Sequence, residues 1–338
     1  MPTRDTKPGL EPLRRTPQGP ALDVARGGAV PLGPGREFET IAGLVTRWGA
    51  HARGIGDDCA LLHVPAGETL CVSTDTSVEG VHFRREWLTP REIGYRATAA
   101  ALSDLAAVAA APIGVLAAVS LPASWRDALG DIADGMADAA GGAGAPIVGG
   151  DTTRGAELSI TVTVLGSAAR PVGRGGARPG DRVYVTGRFG GPIAALRALE
   201  RGERADAACA ERFAHPVPRV REARWLAERG ARALIDVSDG LTGDLGHVAA
   251  ASGVRLEVHV ERLPVLGGVD PLLAFAGGEE YELVACAPGP LDARAFEAEF
   301  GIPLTEIGSV VEGPAGVRAR RAGEPVALPA AHDHLASE

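Results

Sequence analysis

Carboxylates recur in this chain where an apolar segment ends, beside glycine or small hydroxylic residues. Four such segments are residues 54–58 (GIGDD), 73–76 (STDT), 149–155 (GGDTTRG) and 235–240 (IDVSDG). Each segment taken alone is also typical of a turn or a helix N-terminus, because Asp, Ser and Gly favour those positions for local reasons. A fold that gathers several carboxylates needs cations between them, since neighbouring acids repel one another.

Asp104 is a further acid in an unusual position. It is the only charged residue between Arg96 and Arg126, and residues 97–111 around it are almost wholly apolar. A buried carboxylate without a partner is costly to the folded state, so a partner is expected. Two partners stay open from this residue alone: a backbone N–H group, with Ser103 and Asp104 capping or kinking a helix, or a metal ion.

The chemistry of these segments favours Mg²⁺ and a phosphate ligand. Hard oxygen ligands without Cys or His spacing suit Mg²⁺, and neighbouring glycines let backbone N–H groups approach phosphate oxygens. The one lysine, Lys7, lies in an N-terminal tail, and no G-x-x-x-x-G-K-[ST] loop is present. Arginine therefore has to supply positive charge to a phosphate, and Arg174 in a glycine-rich stretch is the best placed.

Composition excludes several classes of partner. The chain has 338 residues and a formal charge of −9, so it lacks the basic surface on which nucleic-acid binding depends. No apolar window is long and uninterrupted enough for a membrane span. The cysteines are scattered without C-x-x-C spacing, at Cys59, Cys71, Cys209 and Cys286. Buried thiols in a reducing, cytoplasmic setting are therefore expected.

Local patterns predict the order of elements. Two strands are expected over residues 59–64 and 69–74, and a capping box at Thr89 and Glu92 opens a helix that continues to Ala111. A strand over residues 113–121 and a Ser124-capped helix follow. Helices and strands mix irregularly later in the chain, which predicts an α+β fold.

The predicted division of the chain has four parts. Residues 1–36, rich in Pro and Arg, form a disordered N-terminal extension, and residues 37–168 form a first domain. The Arg-, Gly- and Pro-rich stretch 169–180 is a linker. Residues 181–335 form a second, α+β domain.

Seven segments in this order resemble the thiamine-monophosphate kinase family, within the ATP-binding superfamily that includes aminoimidazole ribonucleotide synthetase and selenophosphate synthetase. They are GIGDDCALL (54–62), STDTSVEGVHF (73–83), LSDLAA (102–107), GGDTTRG (149–155), RGGARPGD (174–181), IDVSDGLTGDLGH (235–247) and GGEEYEL (277–283). The resemblance covers nearly the whole chain outside the tail. It implies an N-terminal α/β domain that binds ATP and Mg²⁺ and dimerises through its sheet, beside a C-terminal α+β domain.

The resemblance also implies roles for single residues and an activity. By this resemblance, the protein would use ATP and several Mg²⁺ ions to phosphorylate thiamine monophosphate, giving thiamine diphosphate, and would form a homodimer. The implied metal ligands are Asp58, Ser73, Thr74, Asp75, Asp104, Asp151, Asp236 and Asp239. Gly150, Asp151, Arg174 and Ser238 would bind ATP, and His82, Glu279 and His332 would bind the substrate. No further catalytic residue is implied, because a phosphate oxygen of the acceptor is already an anionic nucleophile and direct in-line transfer needs no general base.

Two of these residues have simpler interpretations, and two segments depart from the family. His82 could be structural, and Glu279 could belong to a plain turn. The family has an aromatic residue before its final Asp-His, whereas residues 329–334 (PAAHDH) have none, so His332 is the candidate for that place. The family's Gly-Gly-Glu-Asp is Gly-Gly-Glu-Glu here, with Glu280 in the last position.

Two other functions stay open. The first is an ATP-dependent synthetase or dehydratase of the same superfamily that acts on another acceptor. Those that act on selenium or a carbamoyl group need a cysteine near the N-terminus or at the extreme C-terminus, and this sequence has none before Cys59 or after Cys286. The second is a nucleotide-binding regulator without turnover, which would not need so many metal ligands.

Overall fold

The computed structural model describes residues 36–55 and 59–330. The extension predicted over residues 1–36 lies outside this part of the chain except for Arg36, the first residue of helix α1 (Arg36–Trp48). The N-terminal half continues with strands β1 (Thr69–Val78), β2 (Ala111–Leu121), β3 (Ile147–Arg154) and β4 (Ser159–Ala168) and with helices α2 (Pro90–Ala107) and α3 (Leu129–Gly142).

The four strands form one sheet in the order β1-β4-β2-β3. Strand β4 pairs antiparallel with both β1 and β2, and β2 pairs parallel with β3. Helix α2 packs on one face of this sheet, where Ile160, Val162 and Val164 of β4 are fully buried. The opposite face is more open to solvent, because Leu70 and Val72 of β1 are 47% and 58% exposed.

Local signals predicted some of these elements correctly. The capping box is present: the Thr89 hydroxyl accepts from the backbone N–H of Glu92, and the Glu92 carboxylate accepts from the N–H of Thr89 at 2.6 Å. Helix α2 ends at Ala107 instead of Ala111, because Ala109 has a φ of 56° and turns the chain into β2.

Two predictions about this half were wrong. Residues 59–64 form no strand, because no neighbouring strand pairs with their backbone groups, and Leu61 is 51% exposed. Ser124 does not cap a helix, since a 3₁₀ turn covers Ala123–Ala128 and α3 begins at Leu129 without a side-chain cap.

The C-terminal half has a seven-stranded mixed sheet. Its strands are β5 (Arg182–Thr186), β6 (Ala233–Asp236), β7 (Arg255–His259), β8 (Leu283–Ala287), β9 (Leu304–Val311), β10 (Gly316–Arg321) and β11 (Glu324–Val326). They lie in the order β11-β10-β7-β9-β5-β8-β6, antiparallel except for the β7–β10 pair. The helices are α4 (Gly191–Glu200), α5 (Ala207–Ala214), α6 (Val220–Glu228), α7 (Leu241–Ser252), α8 (Pro271–Ala276) and α9 (Ala293–Phe300). The predicted α+β class is confirmed.

Helix α2 joins the two halves. Its N-terminal part crosses α3, while its C-terminal part packs on α6 and β6 of the second half. Ala106 lies in a buried cluster with Leu226 and Leu234, and the Ser103 hydroxyl donates to Asp236 at the end of β6. This packing brings the acids of α2 and β6 into one region.

No helix among the described residues is long and apolar enough to cross a bilayer. The four cysteines are free thiols, and Cys209 and Cys286 are buried.

Candidate active site between the two halves

A cavity of about 660 Å³ lies where the helix-covered face of the first sheet meets β6 and the loop before β8. Many of the residues singled out in the sequence line it. They are Thr74, Asp75, His82, Asp104, Asp236, Ser238, Asp239 and Glu279. These residues come from four separate segments of the chain, so their convergence in one cavity is a property of the tertiary fold.

Two serine hydroxyls hold the central carboxylates. Ser73 Oγ on β1 donates to Asp104 Oδ2 at 2.6 Å, and Ser103 Oγ on α2 donates to Asp236 Oδ2 at 2.6 Å. Asp75 follows Ser73 by two residues on β1, so both side chains lie on the sheet face that α2 covers. Asp104 is therefore partnered by a side chain, and neither a helix cap nor a kink explains its position.

Burial and the charge of a neighbouring acid raise the pKa of two of these carboxylates. Burial raises the pKa of Asp236 to about 6, and the charge of Asp104 adds to this effect while the Ser103 hydrogen bond opposes it. Burial also raises the pKa of Asp104, and Asp75 raises it further against the Ser73 hydrogen bond. Acids in such proximity share a need for positive charge. Asp75, Asp104 and Asp236 therefore fit a hard divalent cation such as Mg²⁺.

Arg174 contributes positive charge to this region. Its guanidinium lowers the pKa of both Asp104 and Asp236, although it does not line the cavity. It is exposed and precedes β5. An exposed guanidinium beside an acidic cluster suits a polyphosphate that also carries metal ions.

His82 lies in a tight turn after β1. The backbone N–H of Val78 donates to its Nδ1 at 3.2 Å. An accepting Nδ1 assigns the proton of the neutral imidazole to Nε2. His82 also lines the cavity.

Glu279 lies on a strained loop that is hydrogen-bonded to the segment directly after β6. Its φ is 60°, a conformation unusual for a residue with a side chain, and Tyr281 has a φ of 51°. The N–H of Glu279 donates to the Ser238 carbonyl at 2.6 Å, and the N–H of Tyr281 donates to the Val237 carbonyl at 2.9 Å. Gly278 is needed here, since a Cβ would lie 2.5 Å from the Ser238 oxygen. The geometry is not that of a plain turn, because it presents Glu279 to the cavity.

Arg96 is a site residue that sequence reasoning missed. It is 5% exposed, forms an ion pair with the Glu279 carboxylate and donates to the carbonyl of Phe213. Its guanidinium also lies 4.1 Å from the centre of the Phe213 ring. The available signal was a charge at the border of the apolar run in α2, but its partners are more than a hundred residues away in the chain.

The Gly-Gly-Glu-Glu departure is accommodated inside the protein. Glu280 is completely buried, and its Oε1 accepts from the backbone N–H of Gly190 at 2.5 Å. Glu282 accepts from Arg219 and Arg212, and these two charges hold its pKa below the usual value despite burial. The second acid of the pair therefore points into the protein and not into the cavity.

The cavity has aromatic walls although residues 329–334 contain no aromatic residue. Trp87, Phe213 and Tyr281 line it, and Ala330 brings the C-terminal segment to its edge. His332 lies outside the described residues. The sequence order alone did not suggest that these three rings share a surface.

Besides Arg174 and His332, three further predicted residues are not in this cavity or cannot be placed. Asp58 lies outside the described residues. Gly150 and Asp151 lie on β3 and do not line the cavity. Asp151 pairs with Ala118 and so shares the open face of the sheet, opposite to Asp75. Gly150 is required for packing, since a Cβ would lie 2.0 Å from the Ala117 oxygen. The predicted roles of Asp58, Gly150 and Asp151 stay predictions.

The fold and this cleft between two unlike halves define a class of protein. The family model described as AIR synthase related protein, N-terminal domain, matches residues 56–168, and the corresponding C-terminal domain model matches residues 178–319. Within this class, the chain belongs to the thiamine-monophosphate kinase family. It is 38% identical over 304 residues to thiamine-monophosphate kinase of Salmonella typhimurium, which covers 84% of this chain and 92% of that protein.

Solved structures agree with this assignment. Thiamine-monophosphate kinase from Stenotrophomonas maltophilia K279a has a TM-score of 0.75 and 34% identity, covering 87% of this chain and 98% of the other. AaThiL complexed with AMPPCP and TMP has a TM-score of 0.70 and 28% identity, with 88% and 97% of the two chains covered. The predicted family and fold are confirmed.

Proposed function

We propose that this protein is an enzyme that transfers the terminal phosphoryl group of ATP to thiamine monophosphate, forming thiamine diphosphate and ADP. The observation that carries the proposal is one cavity lined by three carboxylates from β1, α2 and β6 and also by His82 and Glu279. The relative's name and the complex with AMPPCP and TMP support the choice of substrates.

Several Mg²⁺ ions belong to this proposal. Asp75, Asp104 and Asp236 would hold them together with Ser73 and Asp239. Thr74, whose hydroxyl pairs with that of Thr163 on the opposite face of the sheet, is a further candidate, as are Asp58 and Asp151. When bound, Mg²⁺ supplies the positive charge that lets two anionic phosphates approach each other. Arg174 and Ser238 would bind ATP, with Gly150 and Asp151 as further candidates for the same role.

The residues of the chain would position the two substrates, and none would have to act as a general base. An acceptor phosphate oxygen is already an anion, so alignment with the terminal phosphorus of ATP is the main requirement. His82 would bind the acceptor phosphate from the wall of the cavity, while Glu279 would offer a carboxylate to the cationic part of the substrate. This arrangement supports direct in-line transfer without a phosphoenzyme.

We propose further that the protein is a cytoplasmic homodimer built through the open face of the first sheet. Exposed Leu70 and Val72 on that face support it. The division into domains over residues 37–168 and 181–335, with a linker over 169–180, is part of the same proposal. Both sheets keep within those limits, since the last strand of the first ends at Ala168 and β5 begins at Arg182.

A substrate panel tests the activity. Purified protein with Mg²⁺ and ATP is offered thiamine, thiamine monophosphate, formylglycinamidine ribonucleotide or selenide, and ADP release is measured. We expect ADP release only with thiamine monophosphate, with formation of thiamine diphosphate and inversion at a chiral terminal phosphorus. Turnover with another acceptor would favour a different synthetase, turnover with none would favour a regulator, and net retention would contradict direct transfer.

A further inference from the structure

Asp239, Asp244 and His247 form a cluster at the start of α7 whose metal-ligating atoms all lie within 4.8 Å of one another. Asp239 is half-buried and precedes the helix, Asp244 is in its first turn, and His247 follows Asp244 by three residues. Residues three apart lie on the same face of a helix, so both side chains reach the same side of α7. The backbone thus presents two carboxylates and an imidazole to one point.

The surroundings of the Asp244 side chain point to a bound ligand. The residue is 2% exposed, and its Oδ2 has no hydrogen-bond partner. A buried carboxylate oxygen without a partner is costly to the folded state, and proteins seldom keep one without an ion or a proton beside it. Asp239 is itself a carboxylate and therefore supplies no positive charge to Asp244.

We infer that Asp239, Asp244 and His247 bind a first-row transition cation of the Mn²⁺ or Zn²⁺ type at the edge of the phosphate-transfer cavity. Two carboxylate oxygens with one imidazole nitrogen suit such an ion better than Mg²⁺, which prefers oxygen alone. Bonds of about 2.1 Å require ligand atoms closer together than the 4.8 Å limit here, so side-chain rotations would complete the site.

The site differs from the proposed Mg²⁺ positions by its nitrogen ligand and by Asp244, and it shares Asp239 with them. His247 is exposed, which leaves coordination positions open to water or to a phosphate oxygen. The inference deepens the proposed function, since a cation there would extend the positive charge of the cavity beyond the three central acids. Its test nevertheless needs neither ATP nor acceptor.

The competing explanation is a proton. Burial, with the charges of Asp236 and Asp239, raises the pKa of Asp244 to about 8, against the backbone of Asp239 and the charge of Arg174, which lower it. A protonated Asp244 would satisfy its own oxygen without any metal. The two explanations differ in whether His247 becomes a ligand, because a proton on Asp244 needs no imidazole.

Pulsed electron paramagnetic resonance of bound Mn²⁺ separates them. The full-length protein is freed of metal and given one equivalent of Mn²⁺ in an excess of Mg²⁺, which fills sites made of oxygen alone. We expect a ¹⁴N modulation from a coordinated imidazole. It should vanish in His247→Ala and persist in His82→Ala, the matched control for the other histidine near the cavity.

Affinity gives a second measurement on a variant of similar shape. In Asp244→Asn, we expect the dissociation constant of Mn²⁺ at this site to rise at least tenfold, measured by competition with a fluorescent chelator, while circular dichroism stays that of the parent protein. Absence of nitrogen coupling in the parent, its persistence in His247→Ala, or unchanged affinity in Asp244→Asn would each overturn the inference. A failed kinase assay would not overturn it, because the Mn²⁺-binding measurements contain no nucleotide.

Discussion

Single residues shape the part of the cavity that carries Glu279, and Arg96 is central among them. It neutralises Glu279, which the loop presents with a φ of 60°. Removing one member of a largely buried ion pair leaves the other without compensation, and the cost is commonly several kcal/mol when both groups are buried. Glu279 is 29% exposed at its side chain, so solvent would offset part of that cost here.

Replacement of Arg96 therefore tests whether Glu279 is held in place for the substrate. In Arg96→Met, we expect KM for thiamine monophosphate to rise about tenfold, equivalent to about 1.4 kcal/mol, with a smaller change in KM for ATP. Steady-state kinetics measure both, and Arg96→Lys should recover part of the loss. The control is Arg91→Met, one turn earlier and exposed, which should leave both constants near the parent values. Equal rises in the two constants would contradict this role.

Glu280 makes stability depend on pH. Burial raises its pKa from near 4.5 to about 8, and Glu282 and Glu279 raise it as well, while the Gly190 hydrogen bond and Arg212 lower it. Between these two pH values the folded protein keeps a proton that the unfolded chain has lost. The free energy of unfolding contributed by this group is therefore full below pH 4.5 and falls as the pH rises to 8.

Glu280→Gln should remove that part of the pH dependence. The amide oxygen can accept from Gly190 as the carboxyl does, and the group no longer titrates. Urea unfolding without divalent cations at pH 5, 6, 7 and 8 is expected to show a shallower decline in the variant, by up to about 1.4 kcal/mol per pH unit. Asp236 and Asp244 contribute to the pH dependence of stability in both proteins. If the free energy of unfolding declines equally with pH in the parent and the variant, the assignment to Glu280 is wrong.

At the scale of elements, the crossing of α2 and α3 depends on two glycines. A Cβ on Gly135 would lie 1.8 Å from the Arg91 carbonyl oxygen, and one on Gly94 would lie 2.0 Å from the Ile132 oxygen. Each contact is with the backbone of the opposite helix, which cannot move without separating the pair. The close approach fixes α2, the helix that carries Ser103 and Asp104 to the cavity.

Gly135→Ala is accordingly expected to destabilise the protein by about 3 kcal/mol, at the upper end of the usual range for overpacking. Denaturant unfolding measures this loss. Gly142→Ala is the matched control, because Gly142 is an exposed residue of the same helix with no atom within 4 Å of the added Cβ. We expect its stability to change by less than about 1 kcal/mol, in the stabilising direction, as alanine favours helix. Similar losses in both variants would show that helix propensity, and not the crossing, is responsible.

What the sequence could predict at this scale depended on the range of the signal. The Thr89 capping box is complete within four residues, so the sequence predicts the start of α2 correctly. The acidic motifs are recognisable because each is contiguous in the sequence. Ser124 has a similar local pattern but lies within a 3₁₀ turn, since packing sets the start of the helix at Leu129. Arg96 and the aromatic walls depend on contacts between segments far apart in the chain, and no local pattern encodes those contacts.

At the scale of the whole molecule, the proposed dimer depends on the open face of the first sheet. Leu70 and Val72 of the edge strand β1 are exposed there, beside paired threonine hydroxyls of Thr74 and Thr163. Apolar side chains on a sheet face without a covering layer favour association, and a charge placed among them would be buried without a partner in a dimer.

Val72→Glu is therefore expected to convert the dimer to monomer in sedimentation velocity at micromolar concentration, with an unchanged circular dichroism spectrum. Val217→Glu, which alters an exposed valine away from this sheet, should remain dimeric. A dimer that persists in Val72→Glu would move the interface to another surface, and a parent protein that is monomeric would remove the proposed dimer altogether.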